Sequence, residues 1–240
     1  MKRAIPFLLL FLAIALLVGG CAAGSRQAKQ APSIPLGAGP KIQFVRFKTS
    51  DALVLSGRIF GNGDTAVILG HMYRSDQTSW LEAARVLSSR GFRVLTFDFR
   101  GYGLSGGVKE IPKIDRDMQA ALDFMGRSNK RVFLIGASMG GTAALRVAAK
   151  TRVAGVATVS APAEFMGLRA GNIVDIKGPK LFIAAAHDDG APETARRFYF
   201  EAAEPKELQI LPGAEHGTNM MQSPDSKALK RLVDWLKRNN

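Results

Sequence analysis

The most informative segment of the chain reads Arg131-Val-Phe-Leu-Ile-Gly-Ala-Ser-Met-Gly-Gly-Thr-Ala-Ala144. An apolar run typical of a buried strand leads into Gly136-Ala-Ser-Met-Gly140, and an alanine-rich run typical of a helix follows. In so tight a strand-to-helix turn, only glycines fit two residues before and two residues after the serine. The hydroxyl is then held at the carboxyl end of a sheet and at the positive end of a helix. Ser138 is therefore the candidate nucleophile, and the alternative is an ordinary glycine-rich turn.

A serine hydroxyl is a weak nucleophile that needs a general base, and the base needs a carboxylate to orient it. The chain has 3 histidines. His216 lies just after a short apolar strand, in a glycine-bounded loop that can carry an imidazole over the sheet. His71 ends an earlier strand and is better placed to shape the neighbouring loop, while His187 adjoins the candidate acids and cannot easily be oriented by them. We predict that His216 is the base, the alternative being a surface loop histidine.

The predicted acid follows another strand, in the segment Lys180-Leu-Phe-Ile-Ala-Ala-Ala-His-Asp-Asp-Gly190. Asp188 is the first choice and Asp189 is the alternative acid. Glu164, after the preceding strand, is a third candidate. Either aspartate could instead cap the helix that is predicted to begin near Pro192.

The order Ser138, Asp188, His216 is that of the triad of the α/β-hydrolase superfamily, which this chain resembles. The resemblance extends to three further segments and covers residues 41–240: Val67-Ile-Leu-Gly-His-Met-Tyr73, Asp98-Phe-Arg-Gly-Tyr-Gly-Leu-Ser105 and Leu211-Pro-Gly-Ala-Glu-His-Gly217. It implies a serine hydrolase, carboxylesterase-like, that cleaves a small acyl-containing substrate through an acyl-enzyme. No organic cofactor and no metal are implied. Peptidase, thioesterase or amidase activity would use the same residues.

The resemblance also implies an oxyanion hole of two backbone N–H groups. One belongs to Met139, directly after the nucleophile, as the geometry of the turn requires. The other belongs to Tyr73, in the loop after an earlier strand. The chain departs from the family at Met72, where glycine is common, and this departure favours an alternative function: a non-catalytic lipoprotein that binds a ligand or an envelope partner. Asp98 and Arg100 are interpreted as loop scaffolding.

The rest of the chain alternates short apolar runs with helical patterns. Strands are predicted near 42–48, 53–60, 65–70, 92–97, 131–136, 153–159, 180–186 and 206–211, and helices near 78–90, 114–127, 139–150, 191–203 and 225–238. This alternation predicts an α/β fold: a mostly parallel eight-stranded sheet with an N-terminal antiparallel hairpin and helices on both faces.

The segment before the strand at 180–186 has about 20 residues, which leaves no room for the lid domain that relatives insert there. The site is therefore expected to be open. Its predicted walls are Met72, Tyr73, Met139, Phe165, Met166, Met220 and Met221, among which a pocket role is preferred for Tyr73 and Met139.

The pattern of the first 20 residues predicts an export signal. Lys2 and Arg3 precede an apolar run of 15 residues, shorter than the ~20 residues of a transmembrane helix. Two glycines then precede Cys21, the chain's 1 cysteine, which can form no disulfide within the chain. The pattern resembles a bacterial lipoprotein signal: residues 1–20 are the signal peptide, Cys21 carries the lipid, 21–40 form a tether and 41–240 the domain. Ala22 favours the outer membrane, facing the periplasm. An uncleaved membrane anchor is the alternative.

The formal net charge is +13. The basic residues are scattered, with a mild concentration in the last predicted helix. Apolar residues recur there at helical spacing, so its charges mark the solvated face. No nucleic-acid-binding motif accompanies the charge, and a nucleic-acid partner is not expected. Weak attraction to anionic lipid or envelope polymers is compatible with it. The sequence does not specify an oligomer.

Overall fold

The computed structural model describes residues 42–240, which lie within one compact unit. The predicted signal peptide, Cys21 and the predicted tether lie outside the described residues. The predicted division into a signal peptide, a tether and a domain from 41 to 240 therefore stays a prediction.

The described part of the chain alternates strands and helices, as predicted. Its strands are β1 (Ile42–Lys48), β2 (Val54–Phe60), β3 (Thr65–Gly70), β4 (Arg93–Phe97), β5 (Arg131–Ala137), β6 (Gly155–Val159), β7 (Glu164–Phe165), β8 (Leu168–Arg169), β9 (Lys180–Ala185) and β10 (Lys206–Leu211). Its α-helices are α1 (Leu81–Ser89), α2 (Ile114–Gly126), α3 (Met139–Ala148), α4 (Ala191–Glu201) and α5 (Lys227–Arg238).

Eight of these strands form one sheet in the order β1-β2-β4-β3-β5-β6-β9-β10. β2 pairs antiparallel with both β1 and β4, and every other pair in the sheet is parallel. The predicted sheet and its N-terminal antiparallel hairpin are thus confirmed. Below, the amino edge is the edge of the sheet at which the parallel strands begin, and the carboxyl edge is the one at which they end.

Apolar side chains fill a core layer on each face of the sheet. Helices α2, α3 and α4 cover one face, through residues such as Met118, Ala144 and Phe198. Helices α1 and α5 cover the other, through residues such as Leu87 and Trp235. Because helices cover both faces of the parallel strands, the sequences of these strands are continuous apolar runs rather than alternations of apolar and polar residues. The charges of α5 face solvent, as its pattern predicts.

The main difference from the prediction lies between β6 and β9, where β7 and β8 form a small antiparallel hairpin followed by a short 3₁₀ helix, Ile173–Asp175. Both strands have only two residues, too few for a periodic pattern to show in the sequence. No lid is present in this segment, as expected. Between residues 42 and 240, no helix is both long enough and apolar enough to cross a membrane.

Candidate active site

Ser138 lies at the end of β5, where the chain turns sharply into α3. Its φ is 49° and its ψ is −121°, a backbone conformation that residues other than glycine seldom adopt. A Cβ at Gly136 would lie 2.1 Å from the carbonyl oxygen of Gly140, and a Cβ at Gly140 would lie 2.4 Å from that of Gly70. Both glycines are therefore required by close backbone contacts, as the tightness of the turn predicts.

Hydrogen bonds on both sides of Ser138 hold this strained residue in place. Its N–H donates to the carbonyl oxygen of Val159 at 2.8 Å, and its own carbonyl oxygen accepts from the N–H groups of Gly141 and Thr142, at 2.9 and 3.1 Å. Such conformations cost about 1–3 kcal/mol and persist only where the surroundings impose them. Ser138 is 6% exposed. The strain is therefore fixed at the carboxyl edge of the sheet, where ligands bind in open α/β folds.

His216 and Asp188 come together from the loops after β10 and β9. The Nδ1 atom of His216 lies 2.9 Å from each carboxylate oxygen of Asp188. The Asp188 side chain is 7% exposed, whereas the His216 side chain is 44% exposed. A carboxylate that accepts at Nδ1 keeps the proton on that nitrogen, which leaves Nε2 with a free lone pair. The imidazole is therefore oriented, and its other nitrogen can act as a base.

The loop that carries His216 packs against the turn that bears Ser138. Gly217 has a φ of 57°, and a Cβ there would lie 2.9 Å from the sulfur of Met72 and 3.5 Å from the Cβ of Ala137, the residue before Ser138. A side chain at Gly217 would therefore push this loop away from the end of β5.

Ser160 is a site residue that the sequence reasoning missed. It follows β6, has a φ of 54° and is 1% exposed. Its Oγ accepts a hydrogen bond from the N–H of Gly217 at 3.1 Å, and so anchors the histidine loop. No motif marks this residue in the sequence; only its position at the end of a strand next to β5 could have indicated it.

The two predicted oxyanion donors lie on adjoining backbone segments. Met139 is the first residue of α3, so its N–H has no partner within the helix. Gly140 brings the start of α3 against the loop after β3, since a Cβ on it would lie 2.6 Å from the carbonyl oxygen of His71. Tyr73 belongs to that loop. Among the non-glycine residues 42–240, positive φ occurs at Arg74 but not at Met72, so this backbone does not require the family's glycine.

His71 shapes the loop after β3, as predicted. Its Nδ1 bonds to the carbonyl oxygen of Met72 at 2.8 Å, and its Nε2 accepts from the N–H of Phe99 at 3.1 Å. This pair of contacts requires the neutral tautomer with the proton on Nδ1. Burial lowers the pKa of His71 below 6.5. The imidazole therefore serves as a neutral bridge between two loops of the carboxyl edge.

Asp98 and Arg100 are scaffolding, as interpreted from the sequence. The carboxylate of Asp98 accepts from the N–H and the side-chain amide of Gln77, at 2.9 and 2.8 Å. Arg100 is fully buried and bonds to Asp117 and Asp51, with closest distances of 2.7 and 3.0 Å. The Arg100 hydrogen bonds hold the pKa of Asp51 well below its usual range, and the two carboxylates raise the pKa of Arg100 against the effect of burial.

Two of the candidate acids make no contact with His216. Glu164 lies on β7 and pairs with Arg169 across the hairpin at 2.8 Å. Asp189 is exposed, and helix α4 has Gly190 as its N-cap with no side-chain cap. The alternative role of either aspartate as a cap of this helix is therefore wrong. The Ala-Pro start of α4 needs fewer capped donors, because proline has no N–H.

Apart from Met72, which is partly buried, the predicted walls of the site divide into two groups. The rings of Tyr73 and Phe165 pack together with their centroids 5.2 Å apart, and Met166 beside them is 59% exposed. The side chains of Met139, Met220 and Met221 are instead buried in the two core layers. The preferred pocket role for the Met139 side chain is wrong, since it is 0% exposed and packs beneath the hydroxyl of Tyr102. Within the described residues, no cluster of three or more metal-ligating side chains occurs.

Comparisons with known proteins agree with this architecture. The model of a family described as the alpha/beta hydrolase family matches residues 53–233. An uncharacterized protein of Mycobacterium tuberculosis, matched in two strains, is 29% identical over an alignment that covers 70% of this chain and 70% of that protein.

Solved structures are similar as well. An esterase of Pyrococcus furiosus superimposes with a TM-score of 0.72 at 24% identity, covering 83% of this chain and 93% of that one. A thermophilic esterase of Thermogutta terrifontis, with malate bound, gives a TM-score of 0.70 at 18% identity, covering 82% and 99%. At these identities the likeness establishes the fold.

Proposed function

The chain belongs to the alpha/beta hydrolase family, and from that premise we propose that it is a serine hydrolase that cleaves an ester or a related acyl bond. In this proposal Ser138 is the nucleophile, His216 the general base and Asp188 the residue that orients the base. The backbone N–H groups of Tyr73 and Met139 form the oxyanion hole.

One observation carries the proposal: His216 is held by a nearly buried carboxylate at Nδ1, while its loop packs against the turn that bears a strained serine. A histidine in an ordinary surface loop would not need a buried aspartate at its Nδ1 atom. Its loop would also not need a glycine packed against Ala137, at the end of the strand that precedes the serine. Strain and an oriented imidazole at one edge of the sheet are the features expected of a nucleophile and its base.

The proposed reaction has two steps. The Nε2 atom of His216 takes the proton of the Ser138 hydroxyl as Oγ bonds to the acyl carbon, and the N–H groups of Tyr73 and Met139 stabilise the oxyanion. Collapse breaks the bond to the leaving group, which departs with the proton from Nε2. A water then gives a proton to Nε2 as its oxygen bonds to the acyl carbon. Collapse of this second intermediate breaks the bond to Oγ, which takes the proton from Nε2, so that the carboxylic acid is released and the serine is restored. Asp188 stabilises the imidazolium in each step.

The rim of the site supports an acyl substrate with an apolar portion. The ring pair Tyr73 and Phe165 lies beside the proposed oxyanion loop, and Met166 extends the apolar surface into solvent. Aromatic rings present a large apolar face to a substrate, and methionine adapts to irregular apolar groups.

The proposal is tested by labelling the purified protein with a fluorophosphonate probe, which reacts only with an activated serine. We expect one labelled peptide, containing Ser138, and loss of both labelling and ester hydrolysis in Ser138→Ala. Ser128→Ala, which replaces an exposed serine just after α2, is the matched control and should react like the wild type. Absence of labelling in a folded wild-type protein would instead support a non-catalytic binding protein.

We also propose that the domain is anchored to a bacterial envelope membrane, the outer membrane facing the periplasm, through a lipid on Cys21. The proposal rests on the sequence pattern around this residue alone. Cys21→Ser should abolish both signal cleavage and incorporation of labelled fatty acid. Recovery of the wild-type mature protein with an unmodified Cys21 thiol would contradict it.

A further inference from the structure

The amino edge of the sheet is strongly basic. Of the seven strands that run in one direction, four begin with a lysine or arginine: Arg93, Arg131, Lys180 and Lys206. The ammonium of Lys180 is buried and donates to two backbone carbonyl oxygens, so it serves the fold. The loops that lead into these strands add further cations.

A groove of about 810 Å³ lies on this edge, between the loops that precede β5, β6 and β9. Its lining contains five cations and one carboxylate, Asp123; the cations are Arg127, Lys130, Arg131, Arg152 and Lys177. All five are exposed, and none forms an ion pair within residues 42–240. Unpaired cations gathered around one concavity attract anions rather than stabilise the fold.

Helix ends explain only part of this charge. The carboxyl ends of α2 and α3 lie at the same edge, and each carries the equivalent of about half a negative charge that favours a nearby cation. Together they balance about one of the five cations, and Asp123 balances another. Arg131 also donates to the carbonyl oxygen of Asn239 and lies over the ring of Phe133, but neither contact neutralises its charge. About three positive charges in the groove therefore remain without a compensating negative charge.

The carboxyl edge has the opposite charge. The segments that follow the strands there, 71–76, 98–110, 160–164, 186–190 and 212–216, contain seven carboxylates and three lysines or arginines. The net positive charge of the chain is therefore not evenly spread over the domain. An anionic surface attracts the amino edge and repels the edge that bears the candidate active site.

The chain enters the domain at the basic edge. Ile42 lies in register with Phe60, Phe60 with Val94 and Val94 with Val67, so β1 begins level with the starts of β4 and β3. The preceding stretch from Cys21 to residue 41 can span at most about 70 Å. The apolar run Ala4–Val18 precedes it. The described part of the chain therefore begins at the same edge of the sheet as the groove.

We propose that the amino edge is a docking surface for a membrane rich in anionic phospholipid, with the groove cations in contact with lipid phosphates. Docked in this way, the domain has the mouth of its candidate active site turned away from the membrane, open to substrates from the aqueous side. The proposal is independent of the catalytic roles proposed above and does not require a lipid on Cys21.

The test measures the acetylation rates of individual lysines in the full-length chain, by mass spectrometry. The protein is mixed with vesicles of phosphatidylcholine alone, or with about one third phosphatidylglycerol. Partition of the apolar N-terminal run is common to both, so the difference reports the effect of charge. In low salt we expect Lys130 and Lys177 to react at least about fivefold more slowly on anionic vesicles, since each basic residue gains substantially from an anionic surface. Lys109, at the carboxyl edge, should react equally on both.

A charge-reversal pair identifies the surface. Lys130→Glu with Arg152→Glu should abolish the protection of Lys177, and about 0.5 M salt should abolish it in the wild type. The matched control, Arg196→Glu with Arg231→Glu, makes the same change of net charge on exposed faces of α4 and α5 and should keep the protection. Retained labelling by the fluorophosphonate probe shows that a double variant is folded. If the wild-type protein is not labelled either, circular dichroism provides this check instead.

Three results would overturn the proposal. The first is equal acetylation of Lys130 and Lys177 on the two kinds of vesicle. The second is protection of Lys109 in place of these lysines, because the opposite edge would then face the membrane. The third is protection by a soluble polyanion such as polyphosphate with none by anionic vesicles, which would assign the groove to a soluble partner.

Discussion

Replacing Ser138 by glycine should make the protein more stable while removing its activity. The backbone of Ser138 has a φ of 49°, in a region where a Cβ is strained and glycine is not. Both its N–H and its carbonyl oxygen are hydrogen-bonded, so the surroundings, rather than the serine side chain, impose the conformation. Ser138→Gly removes the Cβ and keeps these bonds.

The size of the effect follows from two opposing contributions. Relief of the strained conformation contributes about 1–3 kcal/mol. The greater entropy of glycine in the unfolded chain costs about 0.5–1 kcal/mol. The expected net gain in unfolding free energy is about 1 kcal/mol, which raises Tm by about 2–4 °C in a domain of this size.

The assay compares Ser138→Gly with Ser138→Ala by calorimetry and by ester hydrolysis. Both variants lack the hydroxyl and should be inactive, but alanine keeps the Cβ and therefore the strain. We expect Ser138→Ala to melt near the wild type and Ser138→Gly to melt above both. A Ser138→Gly variant that melts below Ser138→Ala would refute the idea that backbone strain is fixed at this residue.

Four further predictions concern the groups around the site. Asp188→Asn should lower kcat by about 10⁴-fold, the loss that the equivalent change causes in a serine protease, because the wrong imidazole tautomer is then favoured. Asp189→Asn should leave both kcat and Tm near the wild type, since Asp189 is exposed and caps nothing. Arg100→Met should lower the unfolding free energy in urea by about 3–5 kcal/mol, since it leaves the buried Asp117 carboxylate without its cation. Adding Asp117→Asn, which removes the charge but keeps an acceptor for the N–H of residue 100, should restore part of the loss. Burial lowers the pKa of His71 in the folded protein. Near pH 6.5 the imidazole of His71 therefore becomes protonated in the unfolded chain but stays neutral in the folded one. Stability should therefore fall as the pH drops below about 6.5, by up to about 1.4 kcal/mol per unit, and His71→Gln should lose this contribution.

The order and type of the long elements could be predicted because their signals are local. Buried parallel strands are continuous apolar runs, and the helices between them have a helical period, so each appears within one short window of sequence. The turn at Ser138 could be predicted for the same reason, because the close contacts of Gly136 are with Gly140 and Gly141, within three residues of the serine. The contact of Gly140 with Gly70, at the end of β3, is visible only in the fold.

What the sequence left open depends on contacts between distant segments. Asp188 and Asp189 are adjacent in sequence, and only the path of the loop after β9 decides which one turns inward. Met139 has a side chain and a backbone N–H that point to different surroundings, so its proposed donor role says nothing about a pocket role. The hairpin of β7 and β8 is too short to have a period, and Glu164 appeared available as an acid because its partner Arg169 lies across that hairpin.

Ser138 and Ser160 together show how the sheet itself sets the geometry of the site. They follow the adjacent parallel strands β5 and β6, where Ala137 is in register with Val159, and both have positive φ. The N–H of Ser138 bonds to the carbonyl oxygen of Val159, so the end of one strand fixes the other. Ser138 then presents the candidate nucleophile, while the hydroxyl of Ser160 holds the N–H of Gly217 beside the candidate base. Because one pair of strand ends holds both positions, a shift of the candidate nucleophile is coupled to a shift of the histidine loop. Precise placement of this kind is worth orders of magnitude in rate, since small displacements of reacting groups are costly.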